Sequence, residues 1–99
     1  MDIFEELVGK TVTIKFTSGI EVIAQLLSED EDNHLLYLGE PRIVIINGED
    51  IALIPYLFTA PSATVSVPTS TVLSIVETFE SSTKDYHKIV KNTQKVKDK

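Results

Sequence analysis

Ninety-nine residues with no cysteine, a net charge of −6 and 42% hydrophobic residues describe one acidic domain, large enough for a single core without staples. Neither a disulfide framework nor a Cys-ligated metal can form, and no apolar run approaches the ~18 residues of a membrane span. The charge is uneven: residues 1–83 carry three bases against thirteen acids, a net −10, whereas residues 84–99 carry six lysines and two aspartates, a net +4. The body should therefore repel nucleic acid, and only the tail could attract it. The opening M-D-I-F-E-E has no basic n-region or long apolar stretch, so a cytoplasmic protein is expected.

Ile3, Phe4, Leu7 and Val8 share one helical face between Asp2, a cap, and Gly9, a stop, which predicts a short helix over 2–8. Thr11–Phe16 alternates with Val12, Ile14 and Phe16 inward, as a strand with one buried face does. Thr17-Ser18-Gly19 reads as a hairpin loop, and Gly19 supplies the positive φ such loops need. The second strand, Ile20–Ser28, puts Val22, Ala24 and Leu26 on one face. An acidic turn, Glu29 to Asn33, closes it. His34–Tyr37 and Ile43–Ile46 are either one strand bent at Gly39 or two short ones. Asn47-Gly48 predicts a type I′ hairpin, returning through Ile51–Phe58, where Pro55 argues for an edge or a bulge. A loop around Pro61 precedes Val65–Val67 and Val72–Thr78, which are divided at Pro68-Thr69-Ser70. Ser82 and Asp85 have capping-box spacing. Tyr86, Ile89, Val90 and Val96 then recur at helical spacing, predicting a helix over 83–96. The order of elements is that of a small, strongly bent β-barrel, residues 1–80, followed by a lysine-rich helical tail, residues 81–99.

Several strands are apolar on both faces. Ile43–Ile46 has no polar position, and Ile54, Tyr56 and Phe58 alternate with Leu53 and Leu57. One small barrel has one inside, and a large apolar outer patch is unusual on a monomer. The expected resolution is a homo-oligomer, with Ile43, Ile45, Ile54, Tyr56 and Phe58 at the subunit interface and edge strands paired across it. The alternative is that the terminal helices cover these faces.

The pattern Leu7–Leu38 resembles the first sequence motif of the Sm-like (LSm) family. Gly9, the alternation Val12, Ile14, Phe16, and Gly19 match it; Ala24 stands where a second glycine is usual. Asp30 falls on the motif's aspartate, and the motif's asparagine falls on His34, or on Asn33 with a one-residue loop difference. The second motif, an Arg-Gly pair before the last strand, falls on Pro68-Thr69 if Thr71–Val76 is that strand, or on Asn47-Gly48 if Val44–Ile54 is the motif. The chain looks most like the divergent Sm-like proteins of marine cyanophages. The resemblance implies a mainly β fold: a five-stranded bent barrel with a short N-terminal helix, to which this chain adds a C-terminal helix. It also implies a ring built by edge-strand pairing, with single-stranded, uridine-rich RNA on one face.

In that family an aromatic or His residue two before the asparagine stacks on the base, and the arginine closes the site. Stacking contributes about 1–3 kcal/mol per base. Here Glu31 or Asp32 holds the stacking position, and the arginine is absent under either alignment. The candidate RNA contacts are therefore Asn33 and His34 in the turn, and Lys84, Lys88, Lys91 and Lys95 in the tail. The alternative is a protein-only scaffold or assembly ring.

Nothing in the sequence argues for an enzyme or a cofactor. Asp30 and Asp32 are spaced like the first calcium ligands of an EF-hand, but Leu35 stands where that loop needs Gly and Pro41 where it needs Glu. His34 and His87 are too differently placed for a shared metal. No nucleophile-elbow, P-loop or dinucleotide-binding motif occurs.

Overall fold

A computed structural model describes residues 3–97, with side chains described through residue 92. Asp2, and the side chains of Lys95 and Val96, lie outside the described residues. Helix α1 (Ile3–Leu7) leads into strands β1 (Thr11–Phe16), β2 (Glu21–Asp30), β3 (Leu35–Asn47), β4 (Asp50–Pro55) and β5 (Val65–Pro68). A 3-10 turn (Thr69–Thr71), strand β6 (Val72–Glu77) and helix α2 (Glu80–Lys97) complete the chain. All pairings are antiparallel, in the order β4-β3-β2-β1-β6, with β5 pairing β3.

The period-two alternation sets the core. Val12, Ile14 and Phe16 of β1, Val22, Ala24 and Leu26 of β2, and Leu36 and Leu38 of β3 are all buried in one cluster, closed by Val67 and Ile75. Gly19 stands at φ +97° as the first hairpin requires, and its N–H donates to the Phe16 carbonyl.

Several elements differ from expectation. Residues 35–47 form one strand, and the backbone reversal at its bend is carried by Glu40, at φ +51°, rather than by Gly39. Gly39 instead permits a close approach: a Cβ there would lie 3.2 Å from Leu27 Cδ1. The β3–β4 loop is Gly48-Glu49, since Asn47 pairs with Asp50. Positive φ falls on Gly48 alone (+67°), which is the type II′ pattern and not type I′. The strand expected over 51–58 ends at Pro55; the Tyr56 N–H still donates to the Pro41 carbonyl at 3.2 Å, but Pro41 has no N–H to return a bond. Residues 56–64 then turn, with Ala60 N–H on the Leu57 carbonyl and Ala63 N–H on the Ala60 carbonyl. β4 and β5 pair with successive halves of β3, and the antiparallel sheet is strongly bent, with a short N-terminal and a C-terminal helix as expected.

Helix α2 begins at Glu80, before the expected start at 83, so Ser82 and Asp85 lie inside it and not at its cap. It crosses the outer sheet face. Tyr86 is fully buried, and its hydroxyl lies 2.8 Å from the Glu40 carbonyl and 3.2 Å from that of Gly39. Ile23, on the outer side of β2, is 2% exposed. The terminal helix thus covers part of the second apolar face, while Ile46, Ile51, Leu73, Val76, Phe58 and Phe79 remain exposed.

Candidate nucleic-acid interface

Three turns meet at one end of the sheet. The Thr69 N–H donates to the His34 carbonyl at 2.9 Å, and the Thr17 N–H to the Thr71 carbonyl at 2.8 Å. The 3-10 turn therefore sits between the β1–β2 loop and the acidic β2–β3 turn. This follows from register: Leu35 pairs with Pro68, so β5 delivers the 3-10 turn beside the start of β3. The final strand is β6, 72–77, which pairs β1, so the loop before it is Pro68–Thr71. Asn47-Gly48 lies in the β3–β4 hairpin instead.

Within the acidic turn, Asp30 is the organiser. Its carboxylate accepts the Asn33 side-chain amide at 2.8 Å and the Asn33 backbone N–H at 3.1 Å. These two hydrogen bonds hold the Asp30 carboxyl below the usual carboxylate range, the side-chain bond contributing most. Asn33 is exposed, and one of its two amide hydrogens is taken by Asp30, leaving the other and the carbonyl oxygen for a ligand. His34 is exposed at φ +57°, a left-handed conformation that turns its ring out of the β3 ladder. Glu31 and Asp32 are exposed beside it. The 3-10 turn adds the exposed Ser70 and the Thr69 backbone. Pro68-Thr69 is the first of the two places expected for the second-motif loop; Ser70 carries no signal in the sequence, because the β3–β5 pairing brings it to His34. No arginine joins this cluster. Arg42 is fully buried elsewhere, with Nη1 donating to the Pro61 carbonyl at 2.7 Å and to the Pro41 carbonyl at 3.1 Å. Its Nη2 meets Glu40 Oε2 at 3.2 Å.

The tail lysines are not brought to this end. Lys84 pairs with Glu80 at 3.6 Å on the exposed face of α2, Lys88 borders a groove between α2 and the outer sheet face, and Lys91 is exposed. The Lys95 side chain lies outside the described residues. Among the described residues, no hydrogen bond or ion pair links these lysines to Asn33 or His34. The expected interface residues divide. Ile43 and Tyr56 pack against the core, Ile54 is half-buried, and Ile45 and Phe58 are exposed, Phe58 by 73%. Among the described residues no group of three or more His, Cys, Asp or Glu side chains is placed to hold a metal ion. No helix among them is long and apolar enough to cross a membrane.

No protein-family model matches the chain, and comparison with curated proteins finds no match. Solved structures do resemble it. A heptameric archaeal Sm protein, described for its implications for the eukaryotic snRNP core, superposes with a TM-score of 0.54 at 21% identity, over 77% of this chain and 96% of that one. The P. aerophilum SmAP1 heptamer gives 0.54 and 21% over 77% of this chain and 88% of that one. A chain from the NatC complex bound to CoA gives 0.50 and 19% over 87% of this chain and 99% of that one. At these identities the likeness is one of fold, and the chain has the Sm fold.

Proposed function

We propose that this chain is the subunit of a homo-oligomeric Sm-like ring that acts by binding single-stranded RNA and not by catalysis, as a divergent cytoplasmic relative of the cyanophage type. The observation that carries the ring is the open sheet. The order β4-β3-β2-β1-β6 leaves β6 unpaired on one side, while β4 and β5 present their free edges on the other. Unpaired edges are templates for further strands. Two different edges on one subunit give a head-to-tail contact, which closes into a ring when the rotation allows. Leu73 of β6, 68% exposed, supplies apolar surface at that edge. The heptameric assemblies of the two Sm proteins support the same reading.

For RNA, the support is the convergence of Asn33, His34 and the 68–71 turn at one end, repeated around a ring. Against tight binding stand the acids Glu29 to Asp32 and the engagement of Asn33 by Asp30. The contact is therefore weak and salt-sensitive, held more by Lys84, Lys88, Lys91 and Lys95 than by the turn. A second reading, a protein-only scaffold, is favoured by the absence of an arginine from the turn and by the likeness to a chain of the NatC assembly. Fluorescence anisotropy with labelled oligo(U) at two salt concentrations separates the two. Because Tyr86 anchors α2, the test uses Lys84→Gln/Lys91→Gln and not a truncation. RNA binding that falls with salt and with the lysine double variant, more than with Asn33→Ala, supports the proposal. Binding abolished by Asn33→Ala alone would move the site into the turn, and no binding at low salt would leave the scaffold.

A further inference from the structure

The outer face of the sheet carries an apolar trough that α2 only half fills. Its floor crosses all five strands of the main path on one face: Val76 of β6, Thr13 of β1, Ile23 of β2, then Val44 of β3, two residues along from Arg42, the partner of Ile23, and Leu53 of β4. The registers Thr13↔Val76, Thr13↔Ile23 and Val44↔Leu53 put these side chains on one face, opposite the core residues Val12, Ile14 and Val22. One wall is α2, through Ser82, Asp85, Ile89 and Asn92, positions that recur on a single helical side. The cavity measures about 500 Å³. That is about three times the ~150 Å³ that holds a benzene ring, so it accepts a row of apolar side chains. Two exposed apolar groups border it, Phe79 at 83% and Ile51 at 63%.

We propose that this trough docks an amphipathic helix of a partner protein, lying beside α2 with its apolar stripe on the sheet and basic residues along its flanks. The wall from Ser82 to Asn92 is about 15 Å long at a helix's rise per residue, which suits an occupant of about three turns. The site is on the face of the sheet, beside a helix, so a second helix extends an existing layer, whereas a strand would need an edge. Basic flanks follow from charge. Asp85 lies in the wall, and Glu49 and Asp50 adjoin Ile51 in the hairpin; among the described residues no ion pair engages any of these three. Glu21 and Glu77 add to the rim, held only by exposed pairs with Lys15 at 3.9 Å and Lys10 at 3.5 Å, which contribute little. Among the described residues, Lys88 is the one cation lining the trough. A second copy fits less well: its basic helix is α2 itself, whose Tyr86 and Ile89 already face its own sheet. The inference is independent of the RNA reading, since the acidic turn takes no part.

The probe is a labelled 14-residue leucine/lysine peptide of helical periodicity, with a scrambled peptide of equal composition and a leucine/glutamate counterpart as controls. The amphipathic basic peptide should bind saturably, one per subunit, and both controls should bind at least about tenfold more weakly. Ile51→Ser/Phe79→Ser, at exposed positions, should weaken it about tenfold or more with an unchanged melting temperature. Equal binding of the scrambled peptide, or an undiminished affinity of the double variant, would overturn the proposal. So would a native mass that halves in the double variant, which would make a second copy the occupant.

Discussion

The Tyr86 hydroxyl lies 2.8 Å from the carbonyl of Glu40, a non-glycine residue at φ +51°. One helical side chain thus satisfies the backbone at the bend of the longest strand and fixes α2 on the sheet. Burial pushes the Tyr86 phenol far above its ordinary pKa, so it stays a donor at all working pH. Tyr86→Phe removes the donor and leaves a buried carbonyl short of a partner, at a cost of about 1–3 kcal/mol. Tyr86→Ala also empties the site and costs about 3–5 kcal/mol. Urea denaturation checks both, and near-wild-type stability of the alanine variant would contradict the anchoring role of α2.

Arg42 is the second fastener. It is fully buried, and its guanidinium ties Glu40 to the Pro61 carbonyl, joining the strand bend to the loop 56–64. Arg42→Ala leaves the Glu40 carboxylate, only 18% exposed, without that cation. Breaking a buried pair from one side costs about 3–5 kcal/mol. Arg42→Lys restores the charge but not the fork of donors, so it should recover only part of the loss in a thermal melt.

The glycines separate by backbone. Gly19 and Gly48 stand at φ +97° and +67° with open space around the missing Cβ. Gly19→Val and Gly48→Val are therefore strained through φ alone, by about 1–3 kcal/mol each. Gly39 has no positive φ, and its added Cβ would lie 3.2 to 3.4 Å from three atoms of the Leu27 side chain, a contact that a small shift of that side chain relieves. Gly39→Ala should stay within about 1 kcal/mol. A reversed ranking in chemical denaturation would contradict the turn assignments.

Asp30 gives the acidic turn a pH signature. Its proton is bound more weakly in the folded than in the unfolded chain. The stabilisation is thus complete above the ordinary carboxylate pKa of about 3.9 and fades as pH falls through the lower folded value. The Asn33 side-chain amide resonances should titrate below that ordinary pKa, and Asn33→Ala should bring the Asp30 carboxyl back toward it. A midpoint already at the ordinary value in the parent would mean that the turn is open in solution.

Much of the fold was legible because period-two alternation leaves little freedom. Val12, Ile14 and Phe16 with Val22, Ala24 and Leu26 define two strands and their inward faces, and Gly19 fixes the loop between them. The bend in β3 was not legible: Gly39 signals freedom, but the positive φ lies on Glu40, where contacts with Tyr86 and Arg42 help hold it. Arg42 in isolation reads as one more solvated base, since its burial depends on a loop nineteen residues away. The candidate site was legible in half. Asn33 and His34 stand out in the acidic turn, but Ser70 comes beside them only through the β3–β5 ladder, and helical spacing in the tail does not reveal that α2 packs on the outer sheet face.

The central claim is that the two free sheet edges close the chain on itself. Light scattering coupled to gel filtration at micromolar concentration tests it most directly. The account predicts a single species of several subunits of 11.0 kDa, reduced to smaller species by Glu77→Pro, which removes an N–H that β6 turns away from β1 toward its free edge. A clean monomer mass for the parent chain would contradict the ring and every proposal that rests on its symmetry.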